Sequence, residues 1–176
     1  FDQIIEYYEE KLDTKRALDV VNRALEQHPY VAGFLIKKAH LLFEQKRLDE
    51  AMELLEKAEA LDGSDISLYL LRCDIFTWQG KYNKALQTIQ MAMGIADEDE
   101  KADLYLELAD VYEEWEKYDE VFDCLVRALE IDPENEEAYQ KAFDLMDQHN
   151  AWDFETQFKQ ILFKLKLEDF KLKVKS

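Results

Sequence analysis

The 176-residue sequence has only 4 Gly and 2 Pro, so few positions force a helix to stop. Cysteine is equally scarce. Cys73 and Cys124 offer neither a disulfide framework nor zinc-ligand spacing. Both fall inside helical apolar patterns, where small buried thiols in a reducing compartment are expected. No run of about 18 apolar residues is present, which excludes a hydrophobic membrane-spanning helix. Basic residues are outnumbered: 22 Lys and Arg face 40 Asp and Glu, for a net charge of −18. Such a surface repels phosphate, so nucleic acid and anionic membranes are poor partners and basic peptides or protein surfaces are better ones. Cysteine usage and charge together lead us to expect a cytoplasmic location. The chain opens on Phe1 rather than Met and is expected to be a fragment or a processed product.

Catalytic constellations are lacking too. His28, His40 and His149 are isolated and fall on different expected helices, with no H-E-x-x-H pair. No nucleophile elbow, phosphate loop or dinucleotide fingerprint occurs. The acidic stretch from Asp97 to Glu100 lacks the turn glycine and spacing of a calcium loop. The expectation is a non-enzymatic chain with no cofactor and no metal.

Hydrophobic residues make up 48% of the chain and charged residues 35%, with 10 Phe, 9 Tyr and 3 Trp. That much aromatic and aliphatic material can offset the entropy of ordering. Its arrangement is periodic. Ala17, Ala51 and Ala85 are 34 residues apart, and Ala24, Ala58 and Ala92 repeat the step. The next pair, Val121 and Ala128, follows after 36. Two extra residues are therefore expected in a loop around Asp97–Lys101, where insertion is best tolerated.

Each unit predicts two helices. Leu68, Tyr69, Cys73 and Phe76 recur at helical spacing until Gly80 interrupts them. Tyr82, Ala85, Leu86, Ile89, Ala92 and Met93 then resume the pattern. With so short a turn between them, the two helices must run antiparallel.

These residues resemble the tetratricopeptide repeat, whose 34-residue unit follows W-x2-L-G-x2-Y, A-x3-F, A and P. The fourth unit is similar to it at Tyr105, Leu108, Ala109, Tyr112, Val121, Leu125, Ala128 and Pro133. The first carries Phe1, Ile4, Ile5, Tyr8, Ala17, Val21, Ala24 and Pro29, and lacks its opening residues, so the natural array is expected to extend upstream. The fifth departs from the pattern: Tyr139, Ala142, Phe143 and Met146 fit a first helix, but after Trp152 the small apolar slots hold Glu155 and Lys159. The resemblance implies an all-α, right-handed superhelix of about five antiparallel helix pairs spanning residues 1–166. Its units fall at about 1–31, 32–65, 66–101 and 102–135, with a degenerate cap at 136–166. Residues 167–176 form a basic tail, part of a stretch from 159 to 176 with six lysines against Glu168 and Asp169. Either this tail is a solvated, frayed end or it pairs with an acidic surface.

The resemblance also implies a protein-interaction scaffold or adaptor whose first helices line a concave groove. The inward columns then hold Glu6, His40, Asp74, Asp110 and Asp144, flanked by Phe43 and Glu113 on one side and Ile36, Leu70 and Leu106 on the other. Trp78 joins the apolar middle. His40 reads more simply as a polar wall residue, and Ile36, Phe43 and Leu70 either pack against neighbouring helices or anchor a ligand. An acidic groove of this kind suits a basic peptide. Family members that grip a carboxylate in the same groove use Lys, Arg and Asn there, so that co-chaperone role is not expected. Homo-oligomerisation, or regulation of an active part outside this segment, are the alternatives.

Overall fold

A computed structural model describes residues 1–149, and every regular element in them is an α-helix. The chain divides into two compact units, the first covering Phe1–Ile95 and the second beginning at Ala96. The first contains α1 (Asp2–Glu10), α2 (Thr14–Gln27), α3 (Ala32–Glu44), α4 (Leu48–Leu61), α5 (Ile66–Trp78) and α6 (Tyr82–Ile95). The second contains α7 (Glu100–Glu114), α8 (Tyr118–Ile131) and α9 (Glu136–His149). Consecutive helices pack as antiparallel pairs within each unit.

One backbone device makes every pair completed among the described residues. Residues 11–13, 45–47, 79–81 and 115–117 link the two helices of a pair, and the middle residue is left-handed each time: Leu12 (φ 54°), Lys46 (63°), Gly80 (68°) and Glu116 (58°). The hydrogen bonds are those of a Schellman cap. After α3, Lys46 N–H donates to Phe43 C=O (2.8 Å) and Arg47 N–H to Leu42 C=O (2.9 Å). After α5, Gly80 N–H donates to Thr77 C=O (2.9 Å) and Lys81 N–H to Phe76 C=O (2.8 Å). The residue that completes the cap also begins the next helix; Asp13 does so with its side chain accepting from Arg16 N–H at 3.1 Å. A three-residue reversal of this kind leaves no freedom except antiparallel return.

The connections between pairs are four residues each, at 28–31, 62–65, 96–99 and 132–135. Asp62 accepts from the Ser64 N–H and hydroxyl at 3.0 and 2.6 Å, which holds its carboxyl below the usual carboxylate range. Asp132 makes the matching bond to Glu134 N–H at 3.1 Å. Since the connection at 96–99 is no longer than the others, the two extra residues do not enlarge a loop as expected. They lengthen α7, which has 15 residues where α3 and α5 have 13. Adding Glu100 and Lys101 to a helix start lets their carbonyls accept intrahelical hydrogen bonds, whereas a longer loop would leave them to water.

The second helix of each pair presents its stripe inward. Ala17, Val21 and Ala24, then Ala51, Leu55 and Ala58, then Ala85, Ile89 and Ala92 are all 0% exposed. Alanine there allows close backbone approach, and larger residues of neighbouring helices fill the rest. In the first unit Ile5, Phe34 and Leu41 complete one such cluster. In the second, Leu106, Ala109, Phe122, Leu125, Leu129, Ala138, Tyr139, Ala142 and Leu145 form another. Arg72 of α5 donates to Glu59 of α4 at 2.7 Å and lies over the Tyr69 ring, while Tyr69 donates to Gly63 C=O at 2.9 Å. The second helix expected for the fifth unit, with Trp152, Glu155 and Lys159, and the basic tail lie outside the described residues.

Candidate binding face

The expected groove residues sort by burial. Glu6, His40, Asp74, Glu113 and Asp144 are exposed, and Asp110 is half-buried. Phe43 and Leu70 are half-buried, and Trp78 is 56% exposed. Ile36 takes the first of its two expected roles, packing, and Leu106 corrects its expected place on the groove wall. At 7% and 6% exposure they belong to the helix packing and present no wall to a ligand. A helix column one position from the core edge still turns partly inward, so bulky aliphatic residues there are drawn into the packing.

The electrostatics also differ from a plain acidic lining. Lys37 of α3 reaches back to Glu6 and Asp2 of α1 at 3.4 and 3.7 Å. In the second unit, Lys141 of α9 pairs with Asp110 of α7 and with Glu137 at 3.4 Å. Both lysines lie 31 residues after the carboxylate they meet, so each ties one first helix to the preceding one. Partial burial lowers the Lys141 pKa, but the Asp110 hydrogen bond and charge, with Glu137, outweigh that and raise it. Sequence reasoning overlooked both lysines because it followed single columns, and an ion pair between helices joins adjacent columns. The signal was there in Lys37 directly after Ile36 and in Lys141 one helical turn before Asp144, each a lysine near an expected groove position.

Within the second unit, Glu113, Lys141, Asp144 and Gln148 line a cleft of about 120 Å³ floored by Ala109, Val121 and Leu145. Asp144 there accepts from Gln140 at 2.8 Å. In the first unit, His40 Nδ1 sits 3.9 Å from a Glu44 carboxylate oxygen one helical turn on. Trp78 and Phe43 have a cation over their rings: Lys46 Nζ lies 5.1 and 5.6 Å from the two centroids. This contact was also missed, since Lys46 occupies a turn position that sequence reasoning treats as a connector.

Chemically, the face offers charge, hydrogen-bond acceptors and aromatic surface, the elements of recognition. Among the described residues no cluster of His, Cys, Asp or Glu is arranged to hold a metal, and no helix is long and apolar enough to cross a membrane. Both cysteines are buried, and burial first, then Asp123 and Glu120, push the Cys124 thiol up to about 12.

Antiparallel helix pairs closed by three-residue caps and repeated at 34-residue steps define an α-helical repeat protein. The chain belongs to the tetratricopeptide repeat family: models of that repeat match residues 9–72, 42–103 and 102–135. No curated protein is matched by the sequence. Among solved structures, it is similar to a thermophilic tetratricopeptide protein of Thermus thermophilus, TTC0263, with a TM-score of 0.71, 18% identity, and 81% and 77% of the two chains covered. It is similar to pilF of Pseudomonas aeruginosa at a TM-score of 0.73 and 18% identity, covering 92% of this chain and 73% of that one. A third, YrrB, described as a protein of this family with an unusual peptide-binding site, matches at 0.59 and 24%, covering 81% and 73%. These likenesses are of fold. Tetratricopeptide repeats generally mediate protein–protein interactions, and the family is typically non-catalytic.

Proposed function

We propose that this protein is a scaffold or adaptor that binds a peptide or protein segment of basic character along the exposed faces of its first helices. The observation that carries the reading is the recurrence of exposed carboxylates on those helices, Glu6, Asp74, Glu113 and Asp144, in a chain of net charge −18. Carboxylates so placed steer a cationic ligand and fix its register, with an effect that weakens as salt rises. Lys37 and Lys141 temper the field at Glu6 and Asp110, which restricts where a cation gains most. That YrrB, of the same fold, has a peptide-binding site is in keeping with a peptide ligand here.

The test is a panel of short peptides graded in charge, titrated into the full chain and into a variant carrying Asp74→Lys and Glu113→Lys. Affinity should rise with Lys and Arg content, fall with added salt, and drop in the variant. A preference for acidic or neutral peptides, or an unaffected variant, would remove the acidic face from the account.

A further inference from the structure

We infer that Phe43 and Trp78 form a binding site for the cationic side chain of a Lys or Arg in the ligand, and that Lys46 occupies it as an internal stand-in. The inference rests on the reading above that the ligand is basic. Phe43 lies in the last turn of α3 and Trp78 is the last residue of α5, two first helices that pack together. Their rings come from different helix pairs, yet one ammonium, Lys46 Nζ, lies within 5.6 Å of both centroids. That is inside the reach of about 6 Å at which a ring face attracts a cation. Lys84 lies over Phe76 and Lys117 over Trp115, but each meets a single ring close in sequence. Among the described residues, Lys46 is the cation shared by rings of two pairs.

The chemistry around Lys46 is informative because the chain has 40 carboxylates. The Lys46 ammonium sits on ring faces, and no carboxylate among the described residues lies within ion-pairing distance of it. Asp74 stands at the rim instead, one helical turn before Trp78 on the same exposed face. An incoming cation would therefore be drawn by the rim and held by the rings.

Lys46 is exposed and projects from a turn, so its ammonium can leave for water without leaving a buried charge behind. Arginine suits the vacated space well, because its planar guanidinium stacks on an aromatic face and sheds water more easily than an ammonium. The exchange is cation for cation, and specificity comes from what flanks the incoming residue.

The experiment titrates the full chain with a blocked pentapeptide, Gly-Gly-Arg-Gly-Gly, and with its citrulline counterpart, isosteric but uncharged. The readout is the indole N–H resonance of Trp78, identified by its loss in Trp78→Phe. The arginine peptide should shift that resonance and the citrulline peptide should not. Lys46→Ala should bind the arginine peptide about two- to five-fold more tightly, the worth of one exposed cation–ring contact. Removing a positive charge would itself aid a cation, so affinities for the arginine peptide are also compared by titration calorimetry with and without Lys46→Ala in a Trp78→Ala background, where the gain should vanish; circular dichroism confirms that each variant is folded. The inference is overturned if the Trp78 resonance does not move, or if the Lys46→Ala gain survives without Trp78. Binding of basic peptides that is lost on Asp74→Lys yet leaves Trp78 unmoved would refute this site while sustaining the acidic face. Absence of any cation binding would refute both.

Discussion

Gly80 is the one glycine among four equivalent left-handed cap positions, which makes it a direct probe of what those caps require. A Cβ built on Gly80 meets nothing within 4 Å, so Gly80→Ala should suffer no steric clash with its surroundings. What remains is torsional. An L-residue in the left-handed region is disfavoured by roughly 1–2 kcal/mol. The loss of glycine's freedom in the unfolded chain returns about 0.4–1 kcal/mol of that. The net destabilisation should be about 1 kcal/mol, or a fall in Tm of about 2–4 °C at this chain length. Leu12→Gly is the reverse experiment. Leu12 is 88% exposed at φ 54°, so glycine there removes strain without removing packing and should stabilise by a similar amount. Thermal and urea denaturation compare the variants. Because repeat arrays can open in parts, hydrogen exchange at the Lys81 amide, bonded to Phe76 C=O, reads the local effect as well. A neutral Gly80→Ala together with a destabilising Leu12→Gly would refute the argument that torsion at this slot governs the turn.

Glu59→Ala strands Arg72, whose side chain is 11% exposed, and should cost about 2 kcal/mol in urea denaturation; a value near zero would mean the pair is replaceable by water. Ala85→Leu forces a larger side chain into a fully buried contact and should cost about 1–3 kcal/mol by the same assay, while an unchanged midpoint would show slack in the stripe. Asp110→Asn should destabilise by up to about 1 kcal/mol at neutral pH, discounted for the exposure of Asp110. Since the folded Lys141 pKa is raised, that contribution is fully present below the ordinary lysine value of about 10.4 and is lost only as pH climbs through the higher folded value. A mutant and wild type that already converge at pH 9 would contradict the pairing. Cys73 and Cys124, both buried, should resist a thiol reagent at pH 8 in the native protein and react in denaturant; rapid native labelling would show that these helices open readily.

The repeat was legible because packing enforces it. Ala17, Ala51 and Ala85 are alanine for one shared reason, close backbone approach, and that reason recurs at a fixed step. The left-handed slots were legible only at Gly80. Leu12, Lys46 and Glu116 adopt the same backbone without a residue type that announces it, since neighbouring hydrogen bonds and the returning helix impose the conformation. The burial of the proposed face was legible in part. Helical columns placed Glu6, His40, Asp74, Glu113 and Asp144 at positions that are exposed. They assigned Ile36 and Leu106 to the same face, because column assignment treats a helix as a cylinder with sharp edges, whereas packing draws bulky aliphatic residues inward. Lys37, Lys46 and Lys141 escaped notice for a different reason: a long flexible side chain acts several ångströms from its Cα, beyond what a column records.

The two residues that lengthen α7 bear on which length changes this sequence can absorb. A helix advances about 100° per residue, so two residues inserted mid-helix would swing everything beyond them by about 200° and turn the alanine stripe outward. Placed before Ala102, they leave each later residue of the pair in phase, at the expense of roughly 3 Å of extra helix. The starts of first helices thus behave as escapements, passing an extra tooth without disturbing the wheel. Three-residue caps such as 79–81 cannot do so, because one more residue there would break the pair of hydrogen bonds that reverses the chain. Variation in the length of this sequence should accumulate ahead of first helices and be purged from the turns within pairs.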